Sequence, residues 1–400
     1  MKKIFIMAHS MEIGGAEKAL LGLLENIDYK KYCVDLFLLR RNGELLKYLP
    51  REVRLLPSQK KYAAMGIPMK DVLKAGEFRV AYDRLKGKYA AKKYVERAHL
   101  SGDNNVANIY SHKFTVLHMP EISNEKYDLA VSFMSPHYYV AQKINARRKA
   151  AWIHTDYSQY ETDVESELNM WDQYDHIVSI SEDTTESFLN IFPELKNKIF
   201  KMENIVPVKY IQELVNEFSV EHEMPSWEGT NVLSIGRFVY PKNFDNTPDI
   251  CKMIIKEGKK IRWYIIGFGG DEQLIREKIK NAGMEESVII LGKKSNPYPY
   301  INACDIYIQP SRYEGKSIAV REAQMLGRPV VITDYPSAQS QVQDGEDGVI
   351  IPMDNQKCAE AICRVLEDEQ LRQRLHQNTM CRDYACRKEI EIFYKLLEGI

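Results

Sequence analysis

Short apolar runs alternate with amphipathic stretches along most of this chain. Runs of roughly four to eight residues rich in β-branched and aromatic side chains read as buried strands, and longer stretches with apolar residues three and four apart read as helices. In the first half the pattern predicts strands at Lys3–Ala8, Val34–Leu39, Leu129–Phe133, Ala150–His154 and Ile177–Ile180, with helices from about Gly15 to Asn26 and near Glu182–Ile191 and Lys209–Phe218. In the second half it predicts strands at Val232–Ile235, Arg262–Ile266, Val288–Leu291, Asp305–Gln309 and Pro329–Ile332. A helix from Ile318 to Leu326, stopped by Gly327 and Pro329, lies among the helices between them. Strand and helix taking turns in this way predicts an α/β protein with two doubly wound parallel sheets. The polar stretch Phe218–Gly229, with Pro225 and Gly229, reads as a linker. The expected domains are therefore 1–218 and 219–379, followed by a terminal segment, 380–400, helical in pattern over Met380–Leu397.

Composition narrows the class. A chain of 400 residues suits two domains, and 44% apolar content suffices for two buried cores. A net charge of −1 argues against a whole-chain electrostatic binder of nucleic acid. No apolar run approaches the ~18 residues that span a bilayer. The start Met1–His9 has two lysines but only a short apolar stretch, and it reads as a first strand rather than a signal peptide. The seven cysteines are odd in number, scattered and free of any Cys-x-x-Cys spacing. They predict reduced thiols in a cytoplasm and neither a disulfide framework nor a zinc site.

Ligands of open α/β sheets sit beyond the carboxyl ends of strands, so the residues just after each strand carry the chemistry. The most informative stretch is Pro310-Ser-Arg-Tyr-Glu314-Gly-Lys-Ser-Ile-Ala-Val-Arg-Glu322-Ala323. A strand runs into a short loop and then a helix start, whose free N–H groups and positive dipole end suit an anion. Glu314 sits on that loop and Glu322 about two turns up the helix. Carboxylates repel phosphate, so both are expected to accept hydrogen bonds from sugar hydroxyls. After the strand ending at Gly236 come Arg237 and Lys242, cations suited to a diphosphate in a partly dry site. Gly267-Phe-Gly269 follows another strand, but Glu272 stands where a dinucleotide fingerprint needs its third glycine. Gly315-Lys316-Ser317 is no P-loop, because the required upstream glycine falls on Pro310. In the first half, Gly14-Gly15 opens a helix and His154 ends a strand, where it could hydrogen-bond a departing phosphate or a sugar hydroxyl.

Two glutamates with seven residues between them, and with Gly315 and Ser317 just after the first, resemble the signature of retaining glycosyltransferases of family four. Lys316 and Ser317 replace its usual Phe and Gly, and resemble a subset that builds capsular and other surface polysaccharides. The resemblance is specific over 230–352, rests on scattered landmarks over 1–205 and is nearly absent over 40–125. It implies the GT-B fold: two Rossmann-like domains facing across a cleft, with a C-terminal helix crossing back to the N-terminal domain. It implies a cytoplasmic, metal-independent hexosyltransferase without a cofactor, which moves a sugar from a nucleotide-diphosphate donor, UDP first, to a saccharide or polyprenyl-linked acceptor. Glu314, His154, Lys242 and Arg237 become the expected catalytic residues. Gly15, Gly236, Arg237, Lys242, Gly267, Lys293, Glu314, Gly315, Lys316, Ser317, Ile318 and Glu322 become the expected donor contacts, with the N–H groups of 315–318 on the phosphates and Glu322 on the ribose. The competing readings are a sugar-nucleotide epimerase of the same shape and a non-catalytic partner of another transferase.

Residues 59–105 differ from the rest of the first half. Between Gln59 and Arg97 stand eleven basic and four acidic residues, a local excess of seven positive charges, with Tyr62, Met65, Phe78, Tyr82, Tyr89 and Tyr94 among them. A basic helical stretch interleaved with aromatics suits an anionic membrane surface, which would place the chain peripherally on the inner face of the cell membrane. The plainer expectation is a solvated helical pair whose aromatics pack on the domain.

Overall fold

A computed structural model describes residues 1–100, 104–159 and 161–399; residues 101–103 of the basic insert and the last residue of the terminal segment lie outside it. The chain divides into two compact units, Met1–Ile205 with Cys386–Ile400, and Val206–Ala385. Unit one holds strands β1 (Lys2–Ala8), β2 (Tyr32–Leu38), β3 (Arg54–Leu55), β4 (Lys126–Ser132), β5 (Asn145–Ile153), β6 (His176–Ser179) and β7 (Ile199–Lys201). They form a parallel sheet in the order β3-β2-β1-β4-β5-β6-β7. Unit two holds β8 (Thr230–Ile235), β9 (Ile261–Ile266), β10 (Val288–Gly292), β11 (Ile306–Gln309), β12 (Val330–Thr333) and β13 (Val349–Ile351). Their sheet, also parallel, runs β10-β9-β8-β11-β12-β13.

Strand order therefore reverses direction beside β1 in one unit and beside β8 in the other. At such a switch the connections leave to opposite faces and a crevice opens beyond the carboxyl ends of the two central strands. In unit two those strands are β8 and β11, paired with Val232 opposite Ile306 and Leu233 opposite Tyr307. The strands are continuous apolar runs because helices cover both faces of a parallel sheet. Ile306, Tyr307, Ile308 and the whole of Val330–Ile332 are fully buried.

Two boundaries differ from the sequence expectation. The division falls at Ile205, not within Phe218–Gly229. The helix Val208–Leu214 packs on unit two, where the Tyr210 ring meets Tyr298 edge-on at 5.6 Å and Asn296 Nδ2 donates to the Leu214 carbonyl at 2.9 Å. The polar residues after it therefore lie along a packed surface and do not mark a joint. The terminal segment is also not one helix. A helix ends at Met380, Cys386 takes a left-handed conformation (φ 53°), and a separate helix spans Ile390–Glu398. This last helix belongs to unit one: Phe393 packs on Trp152 at 6.2 Å and Arg148 Nη1 donates to the Leu397 carbonyl at 3.0 Å. The strands β3, β7 and β13, of two or three residues each, are too short to show a period.

Candidate functional site

The site is built at the switch point of unit two. β8 delivers Gly236 and Arg237, and a single 3-10 turn, Tyr240–Lys242, then presents Lys242. Asn243 ends this turn in the left-handed region (φ 61°), where asparagine is tolerated, and it is buried. β11 delivers the loop with Glu314. The two loops meet: Lys242 Nζ lies 2.5 Å from Glu314 Oε1, with the side chains 20% and 10% exposed. Glu314 Oε1 also accepts from Ser311 Oγ at 2.7 Å, and Ser337 Oγ donates to the Glu314 carbonyl at 2.8 Å. Behind it runs a buried chain: Tyr307 Oη donates to Gln309 Oε1 at 2.7 Å, and Gln309 Nε2 donates to Ser311 Oγ at 2.9 Å. Through Ser311 this chain reaches the carboxylate of Glu314 at Oε1.

Arg312 fastens the two loops together. Its backbone N–H donates to the Pro241 carbonyl at 2.8 Å, and its guanidinium donates to Asp245 at 2.9 and 2.8 Å and to the Tyr240 carbonyl at 2.5 Å. The guanidinium also lies over the Tyr240 ring, 4.1 Å from its centroid. A planar fork can satisfy a carboxylate and stack on a ring at once, which a lysine cannot. The sequence reading passed over Arg312 and Asp245, although Arg312 lies inside the stretch that carried it. Gln309 gave a detectable signal: it is a polar residue ending an apolar strand, fully buried in the structure.

The expected glycines separate into two kinds. A Cβ on Gly267 would run into the Gly236 carbonyl oxygen, so glycine there lets the loops after β8 and β9 touch. A Cβ on Gly236 would press on Lys242 Cδ and Cε at 3.2 and 3.3 Å, so its absence lets the lysine stem cross the end of β8. Gly315 is different. A Cβ there meets no protein atom within 4 Å, and its φ is not in the left-handed region. Packing gives no reason for glycine at 315.

Helix Ile318–Met325 starts beside Glu314, with Ser317 before it. The first intrahelical bond is donated by Arg321 to Ser317, so the N–H groups of Ile318, Ala319 and Val320 precede it and have no acceptor within the helix. The expectation of four donors at 315–318 needs correction at Ser317. Its N–H donates to Gln341 Oε1 at 3.0 Å, and Gln341 Nε2 donates back to its carbonyl at 2.5 Å. Gln341 thereby fixes the loop just before the helix. Lys316 is half-buried. Glu322 lies on the second turn, 1% exposed, and its Oε1 accepts from Tyr298 Oη at 2.8 Å, a partner that the sequence did not suggest. Tyr307, bonded to Gln309, lies near enough to feel the charge of both glutamates. Burial first, and then the charges of Glu314 and Glu322, hold its hydroxyl well above the usual tyrosine range.

Arg237 is exposed, and its guanidinium has no hydrogen bond or ion pair among the described residues. Lys293 is exposed on the loop after β10, with Nζ 5.3 Å from the centroid of the Phe268 ring on the loop after β9. Its neighbour Lys294 is tied up at 2.5 Å by Glu223.

In unit one, Gly15 opens the helix Gly15–Asn26 and is exposed. The carboxylate of Glu17 folds back over Gly14 and accepts from its own backbone N–H, while burial raises its pKa. A second anion at this helix start would meet Glu17. His154 follows β5, its ring 4.9 Å from that of Phe133. Its Nε2 lies 3.0 Å from the Phe133 carbonyl oxygen, which can only accept. Nε2 thus carries the proton, and burial lowers the pKa to about 4. A neutral imidazole with its N–H committed keeps only Nδ1, an acceptor. It can accept from a sugar hydroxyl but cannot donate to a departing phosphate, which removes one of the two expected roles.

Comparison with known proteins follows the same lines. Over 99% of this chain and 100% of the other, the fold is similar to a solved TarM variant from S. aureus in complex with fondaparinux, alpha-GlcNAc-glycerol and UDP (TM-score 0.68, 14% identity). It is likewise similar to Anabaena Alr3699/HepE in complex with UDP and glucose, over 100% of both chains (TM-score 0.69, 16% identity). The fold is GT-B. Residues 225–380 match the family model Glycosyl transferases group 1, so the second unit carries a domain of that family. Amylovoran biosynthesis glycosyltransferase AmsD of Erwinia amylovora is 27% identical over 180 residues, 44% of this chain and 51% of that protein. Capsular polysaccharide biosynthesis glycosyltransferase CapM of Staphylococcus aureus is 28% identical over 146 residues, 36% of this chain and 38% of that protein. The matches thus cover about half or less of these curated relatives.

Proposed function

We propose that this protein is a glycosyltransferase which transfers a sugar, with retention of configuration, from a nucleotide-diphosphate donor to a saccharide or polyprenyl-linked acceptor during assembly of a bacterial surface polysaccharide. UDP is the favoured nucleotide. The observation that carries this reading is the Lys242–Glu314 pair at the switch point, beside a helix start whose Ile318, Ala319 and Val320 N–H groups have no acceptor within the helix. The loop after β8 supplies the cation, and the loop and helix start after β11 supply N–H donors for a diphosphate and a carboxylate for a sugar hydroxyl. The names of the relatives, which act in amylovoran and capsular polysaccharide biosynthesis, support the class of product. UDP in the solved structures of similar fold supports the choice of nucleotide.

In this reading the diphosphate draws Lys242 away from Glu314 and is met by Arg237 and by the N–H groups of Ile318 and Ala319. As the bond from the anomeric carbon to the phosphate oxygen breaks, the departing oxygen keeps the electron pair and these donors stabilise the charge, the electrostatic part that a metal ion plays elsewhere. The acceptor oxygen bonds the anomeric carbon on the same face, and its proton passes to a phosphate oxygen. Glu314 uses its second oxygen, Oε2, to orient the donor sugar. Tyr298 holds Glu322 in place to accept from the ribose, with Lys293 near the base or ribose. The test is incubation of the purified chain with UDP-, GDP- and ADP-sugars and saccharide acceptors, reading nucleotide release and the anomeric configuration of the product by NMR. Release of UDP with an α-product from an α-donor is expected. An epimerised donor, or no release with any donor, overturns the reading.

A further inference from the structure

The long helix Phe78–Ala98 in unit one has one face fixed against its neighbour and one face exposed. Val80, Ala81, Gly87 and Ala91 are buried on the inner side of the helix, which packs on the helix Val106–Thr115. The approach is close: a Cβ on Gly87 would lie 2.7 Å from the Tyr110 carbonyl oxygen. These small residues set the rotation of the helix about its axis, and so fix what faces outward.

What faces outward is an apolar stripe. Phe78, Tyr82, Leu85 and Tyr89 are 67%, 57%, 55% and 62% exposed. At ~100° per residue the four fall within about 60° of arc, one row along roughly 16 Å of helix. Cations border the row on both sides: Arg79, Lys86 and Lys93 on one flank, Lys88 and Lys92 on the other. Arg79 and Lys93 reach over the Tyr82 and Tyr89 rings, at 5.6 and 4.7 Å from the centroids. The expectation that the aromatics of this insert pack on the domain holds for Tyr62, which is buried, and for Tyr94, whose ring meets Tyr110 at 6.0 Å. It fails for this row.

We propose that this face docks on an anionic phospholipid bilayer, with the helix lying along the interface. An apolar row rimmed by cations is the arrangement that buries rings at the level of the headgroups while lysine and arginine stems reach the lipid phosphates. The occupant follows from charge complementarity together with shape. The face is convex and carries Leu85 in the middle of the row, which suits acyl chains better than stacked bases, and the eleven-to-four excess of basic residues between Gln59 and Arg97 calls for an anionic partner. This inference goes beyond the donor site and stands or falls without it.

Vesicle co-sedimentation of the full chain tests it. The chain is expected to pellet with vesicles of phosphatidylcholine and phosphatidylglycerol, to remain in the supernatant with phosphatidylcholine alone, and to be released by salt. The variant F78S/Y82S/L85S/Y89S, which alters only exposed side chains, is expected to partition at least about tenfold less. A second variant, K88E/K93E, retains the rings and is expected to lose on the order of fivefold per cation. Equal pelleting with both lipids, no pelleting with either, or unchanged partition of both variants would overturn the proposal. So would a dimer in sedimentation velocity that the serine variant dissociates, or binding of single-stranded RNA in preference to the anionic vesicles.

Discussion

Lys242 Nζ and Glu314 Oε1 stand 2.5 Å apart, a cation from the loop after β8 and a carboxylate from the loop after β11. The pair closes the switch point, and in the proposed function a diphosphate bound there takes the cation over. Lys242→Ala is therefore expected to cut turnover by about 10²–10³, the range seen when one donor to developing negative charge is removed. Nucleotide release under saturating donor checks this. Turnover within a few-fold of wild type would refute the assignment of Lys242 to the phosphates.

Two glycines that look alike in sequence should respond in opposite ways. In Gly267→Ala the new methyl meets the Gly236 carbonyl, so loss of thermal stability is expected, on the order of 1–3 kcal/mol for overpacking. In Gly315→Ala the methyl meets no protein atom within 4 Å. Its melting temperature should stay close to wild type, while donor affinity should fall if, as proposed, a phosphate approaches the backbone where the methyl would stand. Calorimetric melting with nucleotide titration of both variants separates the two effects. Unchanged donor affinity in Gly315→Ala would return Gly315 to the status of an ordinary loop residue.

Arg312 touches no expected ligand group, yet it holds both loops. Arg312→Ala should lower kcat more than it raises KM, because it loosens the spacing of Lys242 and Glu314 and removes no donor contact. Arg312→Lys should not rescue it, since a point charge cannot bond Asp245 with two nitrogens and lie flat on Tyr240. Steady-state kinetics of both variants checks this. Rescue by lysine would show that charge alone matters at 312.

Unit one should lose stability in mild acid. Burial lowers the pKa of His112 and His137 to about 3 and that of His154 to about 4, against an ordinary value of 6.5. A base held below its ordinary value favours the folded state above its unfolded pKa, and that advantage disappears as pH falls from about 6.5 toward 4. The expected loss is about 1–2 kcal/mol per histidine between pH 7 and pH 5. Burial raises the pKa of Glu17 and Glu167, which act with the opposite sign. The decisive comparison is therefore wild type against His137→Gln, whose stability should fall less steeply over that interval. Equal slopes would mean that His137 does not contribute.

The sequence specified the sheets more fully than the site. Continuous apolar runs such as Ile306-Tyr-Ile-Gln309 mark buried parallel strands because both faces need apolar cover. The helices Gly15–Asn26 and Glu182–Ile191 lie where the spacing placed them, and Ser181 caps the second, accepting from the Thr184 N–H at 3.1 Å. Strand ends then led to Arg237, Lys242, Glu314 and Glu322. What the sequence could not give was pairing among them. That Glu314 faces Lys242, that Glu322 faces Tyr298 and that Gln341 claims the Ser317 N–H depend on residues 24 to 72 positions apart, brought together only by strand order. The terminal segment was misread for a related reason: its polar and apolar spacing continues through Cys386, and a left-handed residue leaves no trace in that spacing.

The most direct test of the diphosphate cradle is the thermal shift produced by UDP compared with uridine, in wild type and in Lys242→Ala, because a ligand that binds only the folded state raises its melting temperature. The account predicts a clear rise with UDP, little with uridine, and loss of that difference in Lys242→Ala. Equal shifts with UDP and uridine, or a UDP shift that survives removal of Lys242, would contradict it.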